Sequence, residues 1–323
     1  MRHGIKRRLA LGLAITGLLA GAVAGTLYAY AGTYGFNVLL RRGGTYWRSV
    51  PPDSAQLSPA MRLALRDPAP AAVPGTFAWR PVGEGFDVAE LPALVDGREV
   101  DRLLLARVDP ARYRFEVHNA PAGTKGVDDW MADLGALLVV NGSYYTRHGT
   151  PDTPFLSAGT QLGPADYLAK QGAFVASDAV TSIHDLKQES WQTAFAGAHD
   201  AMVSYPLLLA ADGSSRVTAD RRWLANRSFV GQDEAGRIIL GTTKDAFFSL
   251  DRFAEFLGTA PLGLVLALNL DGGPVACQAI AVAGFHRRFC GQWETSTRDG
   301  NLRLLSWSFG QWALPVVLAV VRK

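Results

Sequence analysis

Three segments of this chain end an apolar run abruptly in small polar residues, a pattern by which a buried strand delivers chemistry to a surface. The first is residues 137–145 (LLVVNGSYY). The amide of Asn141 can both donate to and accept from a ligand, and Tyr144 and Tyr145 offer apolar faces to a sugar ring. An Asn-Gly hairpin with packed tyrosines is the plainer reading of the same residues. The second segment is residues 267–278 (ALNLDGGPVACQ). A carboxylate that ends a core strand is costly unless it is solvated, hydrogen-bonded or in use. Asp271 is therefore a candidate acid–base group, or else a turn residue capping its own backbone. Asn269 precedes it, and Gly272 and Gly273 would let the backbone approach a ligand closely. The third is residues 226–243, where Asn226 and Arg227 open a strand and residues 233–236 (DEAG) form its hairpin turn. Arg227 can fork onto a phosphate or carboxylate; a solvated arginine on a strand edge is the alternative.

These segments need short strands and turns to hold them. Residues 102–108 and 113–118 read as a strand pair joined by Asp109-Pro110. Residues 127–134 read as a short helix with Asp128 and Asp129 near its positive end. Apolar runs at 136–140, 172–177, 207–211, 228–232, 237–242, 264–270 and 315–321 read as strands. Residues 250–257 have helical spacing, with Ser249 placed as a cap and Gly258 as a stop. Few helices among many strands predict an α+β domain with mixed or antiparallel sheets.

Ahead of this domain lie two segments of different composition. Residues 49–81 contain seven prolines among Ala and Ser, which predicts an extended tether over residues 41–81 and places the domain at 82–323. Leu9 to Leu40 carries no charged residue, follows a basic start and exceeds the ~20 apolar residues that span a bilayer. Residues 1–40 therefore read as a membrane anchor or a signal peptide, residues 29–31 (AYA) having the small-x-small form of a cleavage site. A buried soluble helix is the remaining alternative. With the basic end inside, the domain faces away from the cytoplasm, in a periplasmic or membrane-anchored setting, with residues 9–40 as the membrane contact.

Charge and cysteine usage agree with export. The chain has 323 residues and a formal net charge of +3. Seven basic residues precede the first acidic one, Asp53, leaving 25 basic against 29 acidic from residue 49 onward, a net of −4. No Lys/Arg block remains to grip nucleic acid. Cys277 and Cys290, an even count in an exported chain, suggest a disulfide, with two buried thiols as the alternative. P-loop, dinucleotide, zincin and nucleophile-elbow motifs are absent, and the six histidines form no metal-spaced pair. No metal or cofactor is expected. His148 follows the first segment closely and reads as a surface-loop residue or a reach into its pocket. Trp293, Trp307, Phe309 and Trp312 read as core.

In order and spacing, these segments resemble the phosphodiester glycosidase family over about residues 85–323. The resemblance rests on Asn141-Gly142-Ser143-Tyr144-Tyr145, then Tyr205-Pro206-Leu207-Leu208-Leu209, then Arg227-Ser228 with Gly231 and Gly236, then Asn269-Leu270-Asp271-Gly272-Gly273. Pro274 and Val275 stand where the family continues with Gly and Ser. Tyr205 and Ser143 each replace a Gly, and Pro274 removes a backbone donor beside the last motif.

The resemblance implies hydrolysis of a sugar–phosphate diester at the anomeric carbon. A phosphate leaving group needs electrostatic stabilisation more than a strong acid. On that chemistry Arg227 would bind the phosphate, and Asp271 would act as base for water or stabilise the oxocarbenium-like state. Asn141 and Asn269 would orient sugar hydroxyls. A second carboxylate is left open among Asp152, Asp178 and Glu294. A non-catalytic envelope protein that binds anionic glycan through the same pocket is the rival expectation. Both require Asn141, Arg227 and Asp271 to converge.

Overall fold

The computed structural model describes residues 2–42, 47–218, 222–306 and 312–323. Four sheets carry the fold, and every strand pairing in them is antiparallel. The largest has eight strands and contains Phe86–Val95, Arg98–Val108, Ser228–Asp233, Ile238–Thr243 and Leu264–Asn269. A five-stranded sheet contains Tyr113–Asn119, Leu138–Asn141, Cys277–Val282, Phe285–Cys290 and Val316–Arg322. The remaining two, of five and three strands, flank them.

Side-chain alternation explains why several strands read as unbroken apolar runs. Along Arg98–Val108, Leu104, Ala106 and Val108 enter one core, while Leu103 and Leu105 enter another on the opposite face. The first core lies between the eight-stranded sheet and both five-stranded ones, where Phe115, Leu138, Leu318, Phe155 and Phe174 meet Val230 and Leu268. The second core packs the helix Leu250–Thr259 through Phe253, Phe256 and Leu257 against Phe229 and Ile239. Helix Val127–Leu134 covers the outer face of the five-stranded sheet, with Val127 and Trp130 against Val139, Val317 and Ala319.

Two local expectations change. Ser249 sits at the cap position but its hydroxyl donates to Asp251 (2.5 Å) rather than accepting from the helix. The helix passes Gly258, where a Cβ would meet open space, and ends at Thr259. Trp312 packs as expected of a core residue; Trp307 and Phe309 lie outside the described residues.

The tether requires a larger correction. From Arg48 the chain is part of the domain: Arg48–Ser49 pairs with Asn301–Ser306, and Val73–Pro74 with Phe86–Val95. Between them a short helix, Pro59–Ala64, is capped by Ser58 Oγ, which accepts from the amide of Met61. Leu57, Met61 and Ala64 are buried in the second core. The prolines fit because they stand at turns, at the first helical turn and on a sheet edge, where no ladder donor is missed. Ahead of this, the helix Arg2–Arg42 contains Ala10–Ala29, long and apolar enough to cross a membrane.

Burial of this segment gives a direct test. Met61→Ala should lower the unfolding free energy by about 2–5 kcal/mol, measured by urea denaturation. A free spacer would leave the midpoint unchanged.

Candidate active site

The site forms where the chain leaves one sheet for another. Strand Leu264–Asn269 ends in the eight-stranded sheet, residues 270–276 cross over, and Cys277–Val282 continues beside Leu138–Asn141. Three bonds fasten the crossing. The amide of Asp271 donates to the Gly142 carbonyl (3.1 Å), its carbonyl accepts from Asn141 Nδ2 (2.7 Å), and Asn141 Oδ1 accepts from the amide of Cys277 (3.1 Å). Gly142 is not at a hairpin turn. It is required because a Cβ there would lie 2.5 Å from Val316 Cγ1 and 3.2 Å from the Val316 backbone. Cys277 and Cys290 pair directly across two strands, and a disulfide joins them.

Asp271 is thereby held at a half-buried corner, its Oδ1 accepting from the amide of Gly272 (2.9 Å). Burial, and then the charge of Glu294, push its carboxyl up to about 7, against the Gly272 amide and Arg227. A further carboxylate at this corner is Glu294, whose charge bears on both Asp271 and Arg227. Its Oε1 accepts from Trp223 Nε1 (2.8 Å), and burial raises its pKa against Trp223 and Arg227. Its Oε2 occupies the space that a side chain at Gly273 would fill, with a Cβ only 2.5 Å away, and Gly273 itself has φ +70°. Both reasons demand glycine there.

Arg227 completes the group. It is buried, its Nε donating to the Phe248 carbonyl (3.3 Å) and its Nη2 to that of Trp223 (2.7 Å). The remaining nitrogen, Nη1, lies beside Gly272, 3.4 Å from where a Cβ would stand. Among the described residues it makes no ion pair. Burial lowers its pKa, while the charges of Glu294, Tyr144, Asp251 and Asp271 oppose that shift. A guanidinium keeps its proton under such conditions. Two neighbouring carboxylates and the Nη1 group of Arg227 can bind an anion and move a proton at neutral pH.

A second cluster adjoins Asp271. Tyr144 and Tyr205 stack with ring centres 4.2 Å apart. The Tyr144 hydroxyl donates to the Tyr205 carbonyl (2.8 Å) and accepts from Asn269 Nδ2 (2.8 Å), which also reaches that carbonyl (3.1 Å). Asn269 Oδ1 is buried with no partner among the described residues. Tyr144 is pushed up by burial and by Asp271, and Tyr205 by burial, Tyr167, Asp152 and Asp271.

Asn141, Arg227 and Asp271 thus converge, but several residues expected to touch a ligand act as braces. Both ends of the Asn141 amide are spent on the crossing. Asn226 is wholly buried, accepting from the amides of Gln292 and Trp293 and donating to the Thr243 carbonyl. Gly272 and Gly273 turn their amides to Asp271 and to the Asn226 carbonyl, so neither cradles an anion. Tyr145 leaves the site, packing toward Trp312 and Ala313. Asp178 stands in a separate cavity of about 490 Å³, 3.5 Å from His199. Asp152 belongs to the tyrosine side, and His148 is exposed on a loop. Glu294 was one of three candidates in the sequence, and Trp223 carried no signal there. An isolated bridge between Ala225 and Glu294 brings both to Arg227.

Comparison with known proteins bears on the fold and the family. The catalytic domain of zebrafish N-acetylglucosamine-1-phosphodiester alpha-N-acetylglucosaminidase, solved in a form auto-inhibited by its pro-peptide, superposes with a TM-score of 0.50 at 15% identity. The match covers 86% of this chain and 88% of that one. A hypothetical protein from Synechocystis aligns at a TM-score of 0.48 and 14% identity, over 77% of this chain and 64% of that one. No curated protein matches the sequence. A family model described as phosphodiester glycosidase matches residues 134–300. That stretch holds Asn141, Tyr144, Arg227, Asn269, Asp271 and Glu294, and with it the chain belongs to the phosphodiester glycosidase family.

Proposed function

We propose that this chain hydrolyses a glycosyl phosphodiester at the anomeric carbon, on the outer side of a membrane to which Ala10–Ala29 attaches it. The observation that carries the reading is the convergence of Arg227, Asp271 and Glu294. Arg227 Nη1 is the donor left over to bind the phosphate, since the other two guanidinium positions are tied to backbone carbonyls. In the reaction the bond between the anomeric carbon and the phosphate oxygen breaks. That oxygen takes the electron pair and leaves on a phosphomonoester. Water adds to the anomeric carbon, and ionised Asp271 accepts its proton. A carboxyl titrating at about 7 suits a base working at neutral pH. The charge of Glu294 stabilises the oxocarbenium-like state and raises the proton affinity of Asp271.

Three results are expected. Asp271→Asn and Arg227→Ala should each lower kcat/KM by roughly 10²–10⁴, followed as free sugar released from a panel of sugar-1-phosphodiesters. Full activity in both variants sinks the proposal, and saturable binding without turnover by the native chain would favour a glycan-binding protein instead.

The pH dependence has a defined sign. Activity should rise through about pH 7 as Asp271 loses its proton. Glu294→Gln removes the negative charge that holds that proton, so the acidic limb should move to lower pH in whatever activity remains.

Stability should report the same strain without substrate. Asp271 holds its proton in the folded chain at a pH where the unfolded chain has released it, so folding loses stability as pH rises from about 4 to about 7. Asp271→Asn should therefore raise the thermal midpoint by a few degrees at pH 8, and by less at pH 5. Equal shifts at the two pH values would contradict this.

A further inference from the structure

Trp223 stands beside the carboxylate pair with 43% of its surface exposed. The two residues that follow it, Leu224 and Ala225, are buried. Its polar groups are spent on the two charged neighbours that define the site. The indole Nε1 donates to Glu294 Oε1 at 2.8 Å, and its backbone carbonyl accepts from Arg227 Nη2 at 2.7 Å. Leu224 next to it is fixed in turn, its amide donating to Thr295 Oγ1 (3.0 Å) on the strand that carries Glu294.

This attachment has a geometric consequence. An indole N–H lies in the ring plane, so a bond through it to Glu294 holds the ring by its edge. The ring faces take no part in that bond. A flat apolar surface held in one orientation by a charge-assisted bond loses little rotamer freedom when something docks on it. Pyranose rings present C–H groups on their faces, and this is the chemistry a part-exposed indole held beside Glu294 would take.

We propose that Trp223 is a positioning residue for Glu294 and Arg227 and the platform on which the sugar ring of the substrate stacks. The proposal rests on the glycosyl-phosphodiester reading and deepens it: the glycosyl unit lies against Trp223 and Glu294, with its phosphate toward Arg227 Nη1. Tyr144 and Tyr205 already cover one face of each other, and Tyr144 is tied through its hydroxyl to the Tyr205 carbonyl and Asn269.

Two substitutions separate the parts of the role. Trp223→Phe keeps an aromatic face but removes the donor to Glu294. Trp223→Ala removes both. The acidic limb of kcat/KM should move to higher pH in Trp223→Phe, since the pair loses a donor that favours its ionised form. That direction is opposite to the one expected for Glu294→Gln. KM in the same variant should stay within about threefold. Affinity is read separately with a non-hydrolysable glycosyl phosphonate by calorimetry. Trp223→Phe should bind within about threefold of the native chain, and Trp223→Ala at least tenfold more weakly, a change of about 1.4 kcal/mol.

An unmoved pH limb in Trp223→Phe overturns the positioning role, and native affinity in Trp223→Ala overturns the platform; either result removes the assignment. A native chain that binds the phosphonate yet cleaves no phosphodiester would refute the hydrolase reading alone, and the Trp223→Ala affinity would then decide the platform. Absence of phosphonate binding by the native chain would overturn both.

Discussion

The crossing at residues 270–276 is the constraint on which the other features depend. A chain that leaves one sheet and enters another must break its ladder, and the freed backbone groups need partners. Here Asn141, Gly142 and Asn226 provide them, from two other strand ends. Because those strands are fixed by cores on their faces, the crossing inherits their rigidity. Asp271 is consequently held where water reaches it poorly, and its raised proton affinity follows first from that placement and then from the charge of Glu294.

Charge balance follows from the same corner. Two half-buried carboxylates face one arginine, and neither forms a direct ion pair with it among the described residues. Separation leaves each group incompletely compensated, which is costly in a folded protein and useful at a site that must accept a further anion. The two glycines after Asp271 make the arrangement possible by omission. Arg227 approaches over Gly272, and Glu294 fills the place of a side chain at Gly273. Pro274, which lacks a backbone donor, fits a loop whose amides already point inward.

Much of the architecture was legible because strands leave a strong local trace. Apolar runs such as 102–108 and 264–270 mark strands buried on both faces, and residues 127–134 form the expected helix. Asp271 drew notice as a carboxylate ending an apolar run and Arg227 as a charge opening a strand, and the structure brings the two to one corner. Asn141 and Asn226 were misread for a physical reason: an amide that braces a loop and an amide that greets a ligand have the same local sequence. Glu294 and Trp223 acquire meaning only through a bridge across some seventy residues, which no local pattern encodes. The proline-rich segment misled because composition reports what a stretch disfavours, while Leu57 and Met61 decide where it packs.

The packing of that segment changes how far the domain can travel. A free tether over residues 41–81 would span more than 100 Å when extended. Only five residues separate the end of the apolar helix at Arg42 from the first paired residue, Arg48, which amounts to about 20 Å of chain at most. Were the domain attached through Ala10–Ala29, the thirteen helical residues from Tyr30 to Arg42 would add about 20 Å to that reach. The reach set by these few residues, and not a long extended spacer, would then decide how far from the bilayer the domain could work.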